Sequence, residues 1–83
     1  MTHLSSLMSS PPDRENLVFE IWMDADQLAE VSHEPGRSVE IEIYPSAKDG
    51  TWSFELEEFM FLLNQAVEKL KIVIVKRVQK EYL

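Results

Sequence analysis

The sequence predicts an α+β domain in which a small antiparallel sheet of three strands packs on one long C-terminal helix. Three observations lead to this fold class: two alternating apolar and polar stretches before residue 45, an apolar stripe of helical period after Trp52, and a turn-forming Asp49-Gly50 pair between them. A chain of 83 residues is long enough for one domain and no more. We therefore expect the element order β-β-β-α.

The first sixteen residues lack a hydrophobic pattern and are rich in serine, with Pro11 and Pro12 before a charged stretch. This composition predicts a flexible arm at residues 1–16, which leaves residues 17–83 as a single α+β domain. The start of the chain does not look like a secretory signal, and no apolar run approaches the roughly 20 residues of a membrane span. Together with the absence of cysteine, these features lead us to expect a soluble, cytoplasmic protein.

Two strands are predicted from alternation. The first covers residues 17–23 and would turn its odd-numbered residues, all apolar, toward the helix. Its other face carries Val18 and Trp22 beside Glu20, so we expect partial cover there from another element or another chain. The second strand covers residues 38–44 and has the cleanest alternation in the chain. Its apolar residues, expected to face the helix, are Val39, Ile41 and Ile43.

The connections between these elements are less regular. Residues 24–36 fit either a short helical turn capped by an aspartate or an irregular loop that ends at Pro35-Gly36. After Pro45, Asp49-Gly50 is typical of a hairpin turn with positive φ. Residues 51–54 would then form a short third strand, antiparallel to the second.

The helix is predicted over residues 54–70, where no glycine or proline interrupts the pattern. Ser53 can cap its start, and three glutamates in the first turn suit the helix dipole. Leu63 lies in the middle of the apolar stripe, so we expect it to be buried against Ile41 and Phe19. The stripe consists of Leu56, Phe59, Met60, Leu63, Ala66, Val67 and Leu70.

Beyond Leu70 two interpretations stay open. Four consecutive β-branched residues favour a strand at 72–78, whereas the lack of any helix breaker and the continuing stripe favour an extended helix. Either element would expose more apolar surface than one small sheet can cover, so a second copy of the chain is the nearest source of cover. The candidate dimer contacts are Ile72, Val73, Ile74, Val75, Val78 and Tyr82.

Catalytic and metal-binding chemistry has little support. There is no cysteine, and the two histidines are His3 and His33. A glycine-rich phosphate-binding loop is excluded, because the sequence has only two glycines and they are far apart. If residues 24–36 were helical, Asp26, Glu30 and His33 would share a face, but the second half of a di-iron motif is absent. We expect no catalytic residue, no metal and no cofactor.

The charge distribution indicates the kind of partner. Residues 1–58 contain thirteen acidic and three basic side chains, whereas residues 59–83 contain two acidic and five basic ones. An acidic surface repels phosphates, so nucleic-acid binding is not expected, and a basic protein partner is. Aromatic residues among glutamates on the sheet face away from the helix would supply the contact. The candidates are Trp22, Glu40, Glu42, Tyr44 and Trp52; for Trp52, membership of the core is an equally good interpretation.

In size, acidity and lack of catalytic groups, the β-β-β-α pattern is similar to compact antitoxins and to the immunity proteins of bacterial toxin systems. That likeness is one of fold and charge, and no motif identifies a family. It implies a non-enzymatic inhibitor that binds a basic toxin or nuclease. The alternative hypothesis is a self-associating structural or regulatory subunit that dimerises through residues 72–82.

Overall fold

The computed structural model describes residues 3–46 and 50–82, and for residues 72–82 it describes the helical backbone alone. The chain forms one four-stranded antiparallel sheet in the order β1-β2-β3-β4, against which a single helix packs. The predicted fold class, an antiparallel sheet with one C-terminal helix, is confirmed. The elements are β1 (Leu4–Ser9), β2 (Val18–Met23), β3 (Asp26–Ser32), β4 (Glu40–Ile43) and α1 (Leu56–Tyr82).

The strand β1 forms one edge of the sheet, so the predicted flexible arm is wrong for these residues. Leu4 pairs with Met23 and Ser9 pairs with Val18. Leu4 and Met8 lie on the helix side and pack against the core. Three of the six residues are serines, so the sequence shows no clear alternation of apolar and polar residues here. An edge strand needs only one apolar face, and here two side chains provide it.

The strands β2 and β3 form a tight hairpin where either a helical turn or a loop was predicted. A two-residue turn joins them, with Asp24 at a φ of 54°, a conformation that aspartate adopts more readily than most residues. The register shifts between Ile21 and Trp22, which places a bulge at Leu28. The consecutive residues Leu28 and Ala29 are both buried as a result, and the alternation that would reveal a strand is lost.

The second predicted strand exists as β4, but its partner is β3 and not residues 51–54. Those residues have no regular secondary structure, so the predicted third strand is wrong. Gly50 has the positive φ expected of a turn, at 72°, whereas Asp49 lies outside the described residues. The chain instead uses β1 and β3 to complete the sheet.

The core lies between α1 and the strands β1–β3. It contains side chains from β2 and β3 together with the helix residues Leu62, Ala66 and Leu70. The predicted stripe is partly wrong: Leu56 and Met60 are exposed, and Leu62 takes the buried position. Leu63 is half-buried beside the core. The helix therefore meets the sheet with a face different from the predicted one, and its main contacts are with β1 and β2.

The helix continues to Tyr82, so the extended helix is confirmed and the strand at 72–78 is wrong. At 1.5 Å per residue, the part beyond Leu70 adds roughly 18 Å. The side chains of the candidate dimer residues lie outside the described part of the chain. Among the described residues, no helix has the length and apolar character to cross a bilayer.

Candidate protein-binding surface

The two faces of the sheet differ sharply in chemistry. Cross-strand pairs share a face, so the register assigns each strand residue to one side. The helix side contains the core residues of β2 and β3, whereas Val18, which is also buried, lies on the other side. The other side, which we call the outer face, contains all four glutamates of the strands: Glu20, Glu30, Glu40 and Glu42. The sequence predicted this separation for β2 and β4.

The connection between β1 and β2 supplies an arginine to the outer face. Arg14 donates from Nε and Nη2 to Oε2 of Glu30, at 3.1 and 2.8 Å, and from Nη2 to Oε1 of Glu42 at 3.0 Å. The bond to Glu30, followed by the charges of Glu30 and Glu42, raises the pKa of Arg14. Val18, on this face, is fully buried, as the predicted partial cover requires.

A second group of charges joins the loops. Glu34 accepts hydrogen bonds from the backbone N–H groups of Glu15 and Asn16, at 2.9 and 3.0 Å, and these bonds lower its pKa. Arg37 forms a two-bond pair with Glu40, at 3.0 and 2.9 Å, which lowers the pKa of that carboxyl group. Between these groups lies an open cleft of about 690 Å³, in which carboxylates outnumber guanidinium groups.

The aromatic candidates divide between the two sides of the sheet. Trp22 and Tyr44 lie half-buried on the outer face, and Trp22 donates from Nε1 to Oε1 of Glu20 at 3.0 Å. Burial, followed by the charges of Glu30 and Glu42, raises the pKa of Tyr44. Trp52 instead packs against the core and donates to the carbonyl oxygen of Tyr44 at 2.6 Å. The structure therefore does not bring Trp52 to the outer face.

Exposed apolar residues on the helix side were missed by sequence reasoning. Ile41 and Ile43 of β4 are 42% and 59% exposed because the helix does not extend over this edge. On the helix, Glu58 accepts a hydrogen bond from the N–H of Leu4, so that side of α1 lies over β1. Leu56 and Met60 lie on the opposite flank of the helix and are exposed. Alternation assigned both isoleucines to the helix side of the sheet but could not indicate whether the helix covered them.

The acidic residues predicted as ligands do not form a metal site in the described part of the chain, where no three carboxylate or imidazole groups are arranged so that they could hold a metal ion. Asp26 and Glu30 belong to a strand, and His33 follows it. The shared helical face on which that candidate depended is therefore absent.

The comparisons with known proteins add no relationship. No family model matches the sequence, and neither the search of curated proteins nor that of solved structures found a match.

Proposed function

We propose that this chain is a non-enzymatic protein-binding module that recognises a basic partner, and that it inhibits this partner as immunity proteins and antitoxins do. The observation that carries the proposal is the outer face, where Trp22 and Tyr44 lie among the four strand glutamates. Aromatic side chains supply much of the energy at protein interfaces, and opposite charges speed association. Arg14 and Arg37 pair with three of these glutamates, which fixes the carboxylates in place while the acidic excess remains.

The lack of catalytic groups supports a binding role. The chain has no cysteine for nucleophilic catalysis. His3 lies just before an edge strand, and the Nδ1 atom of His33 is buried. Three of the four glutamates on the outer face pair with Arg14 or Arg37, so these carboxylates already have partners within the chain.

Site-specific photo-crosslinking in the native cell tests this proposal. A photoreactive amino acid at Tyr44 should capture one protein of basic isoelectric point, and the same substitution at Asn64, exposed on the helix, serves as the control. Purified partner should then bind the wild-type chain with an affinity that falls as salt rises. If that partner is an enzyme, its activity should fall on titration. Identical adducts from both positions, or an acidic partner, would contradict the proposal.

A second candidate function is self-association through residues 72–82. It is supported by the continuation of α1 to Tyr82, which carries four successive β-branched residues beyond the last described core residue, Leu70. We expect light scattering on the full chain to give a dimer. A truncation after Lys71, checked for folding by circular dichroism, should give a monomer. A full-length monomer at high micromolar concentration would remove this candidate.

A further inference from the structure

The strand β4 is an open edge of the sheet in the part of the chain that the structure describes. The N–H of Tyr44 donates to the carbonyl oxygen of Leu28, and Glu42 pairs with Glu30. In an antiparallel strand, alternate residues direct both backbone polar groups to the same side. Glu40 and Glu42 therefore bond toward β3, whereas Ile41 and Ile43 direct their N–H and C=O groups outward.

The side chains of this edge have two distinct chemistries. Ile41 and Ile43 are exposed on the helix side, and the side chains of Glu40 and Glu42 are 44% and 63% exposed on the outer face. A strand that paired here would therefore meet apolar side chains on one face and, on the other, two exposed carboxylates that each already pair with one arginine. Its own residues would have to alternate in the same way.

A second copy of β4 fits this edge poorly. Two-fold antiparallel pairing that keeps like faces together places Glu42 opposite Glu42 when Ile41 lies opposite Ile43, and Glu40 opposite Glu42 when Ile41 lies opposite Ile41. Aligning Ile43 with Ile43 avoids these pairs but brings Pro45, which has no N–H, opposite Ile41. Like charges directly opposite each other destabilise a sheet. The glutamates thus discourage self-pairing, as charged residues on edge strands commonly do, while leaving the edge available to an oppositely charged strand.

We propose that β4 binds an extended segment of a basic protein by strand addition, and that this segment alternates lysine or arginine with valine, isoleucine or leucine. Backbone hydrogen bonds to Ile41 and Ile43 would hold the bound segment in strand register and supply affinity. The alternating side chains of the segment would supply specificity. The inference rests on the proposed function only in taking the partner to be basic. It adds the binding edge, the secondary structure of the ligand and the pattern of its residues.

Titration with synthetic peptides tests the inference. The probe is a short capped peptide in which lysine and valine alternate, and the control has the same composition with the lysines and valines in two blocks. We expect the alternating peptide to bind at least about tenfold more tightly and to shift the amide resonances of Ile41 and Ile43 most. A third peptide that alternates glutamate and valine should not bind.

Two variants locate the contact. Ile43→Pro removes an outward N–H without removing a bond to β3, so it should weaken the alternating peptide about tenfold or more. Glu40→Gln with Glu42→Gln leaves the backbone intact and should also weaken binding, whereas Glu68→Gln, exposed on the helix, should not. Circular dichroism establishes whether each variant is folded. If the proline variant does not fold, the glutamine variant alone tests the contact.

The possible failures are separable. Equal binding of the alternating and block peptides, unaffected by Ile43→Pro, would overturn strand addition while leaving a basic partner in place. Binding of neither peptide would also overturn the inference, and photo-crosslinking would then decide the proposed function by itself. A wild-type dimer that Ile43→Pro converts to a monomer would show that a second copy occupies the edge, which also overturns the inference.

Discussion

The β2–β3 hairpin and the strand β4 belong to one sheet but differ in how far their apolar side chains are buried. On the helix side, Ile21 and Ala29 of the hairpin are fully buried, while Ile43, which pairs with Ala29, is 59% exposed. The difference arises from the position of α1, which lies over β1 and β2 and leaves the β4 edge uncovered. Apolar periodicity thus identifies the face of a strand, but burial depends on where the covering element lies.

The largest expected effect comes from comparing alanine variants of two isoleucines on the same side of the sheet. Ile21→Ala should lower the free energy of unfolding by about 2–5 kcal/mol, because it leaves a cavity in the core. Ile43→Ala should cost less than about 0.5 kcal/mol, because much of its side chain already meets water. Urea denaturation of both variants gives the two values. Similar losses would mean that β4 is covered in solution.

A smaller effect is expected from two glutamates that share one arginine. Arg14 bonds to Glu30 of β3, whose side chain is 12% exposed, and to Glu42 of β4, which is 63% exposed. Glu30→Gln should cost about 1–2 kcal/mol, because it removes a charge-assisted pair in a partly buried place. Glu42→Gln should cost under about 0.5 kcal/mol, because water screens the exposed pair. A reversed order in chemical denaturation would contradict the burial difference.

The smallest effect concerns pH. The N–H groups of Glu15 and Asn16 hold the pKa of Glu34 below its ordinary value of 4.5. A depressed pKa contributes stability that is complete above the unfolded value, and that is lost as pH falls through the folded one. Glu34→Gln should therefore flatten the fall in the urea midpoint below about pH 4.5, and Glu68→Gln should not. A wild-type and a Glu34→Gln profile that fall in parallel would exclude this contribution.

The parts of the fold that the sequence predicted are those with unbroken periodicity. The presence of α1, β2 and β4 follows from apolar spacing, although α1 begins at Leu56 and not at residue 54. The strand β3 was missed because the bulge at Leu28 puts two successive side chains in the core, and β1 was missed because serine occupies half of it. Local pattern cannot reveal these strands, since their partner β2 supplies the hydrogen bonds and the register.

The candidate surface was predicted in part for a related reason. Glu40, Glu42, Trp22 and Tyr44 were assigned to one face by alternation, and the register places the first three there. Tyr44 follows β4 directly and lies near Glu30 and Glu42. The sequence could not decide whether Trp52 belongs to the outer face or to the core, because its position depends on the hydrogen bond to Tyr44 and on packing with the core. The outward backbone groups of β4 follow only from knowing that no strand lies beyond it among the described residues.

The two-residue turn at Asp24 also has a kinetic consequence. Closing it brings β2 and β3 together at a low cost in loop-closure entropy, whereas docking Ala66 onto Phe19 must first close a loop of more than forty residues. Local contacts form early in folding and distant ones form late. We expect the hairpin to assemble first and the edge strands β1 and β4, which short connections join to it, to add next. The helix should dock last.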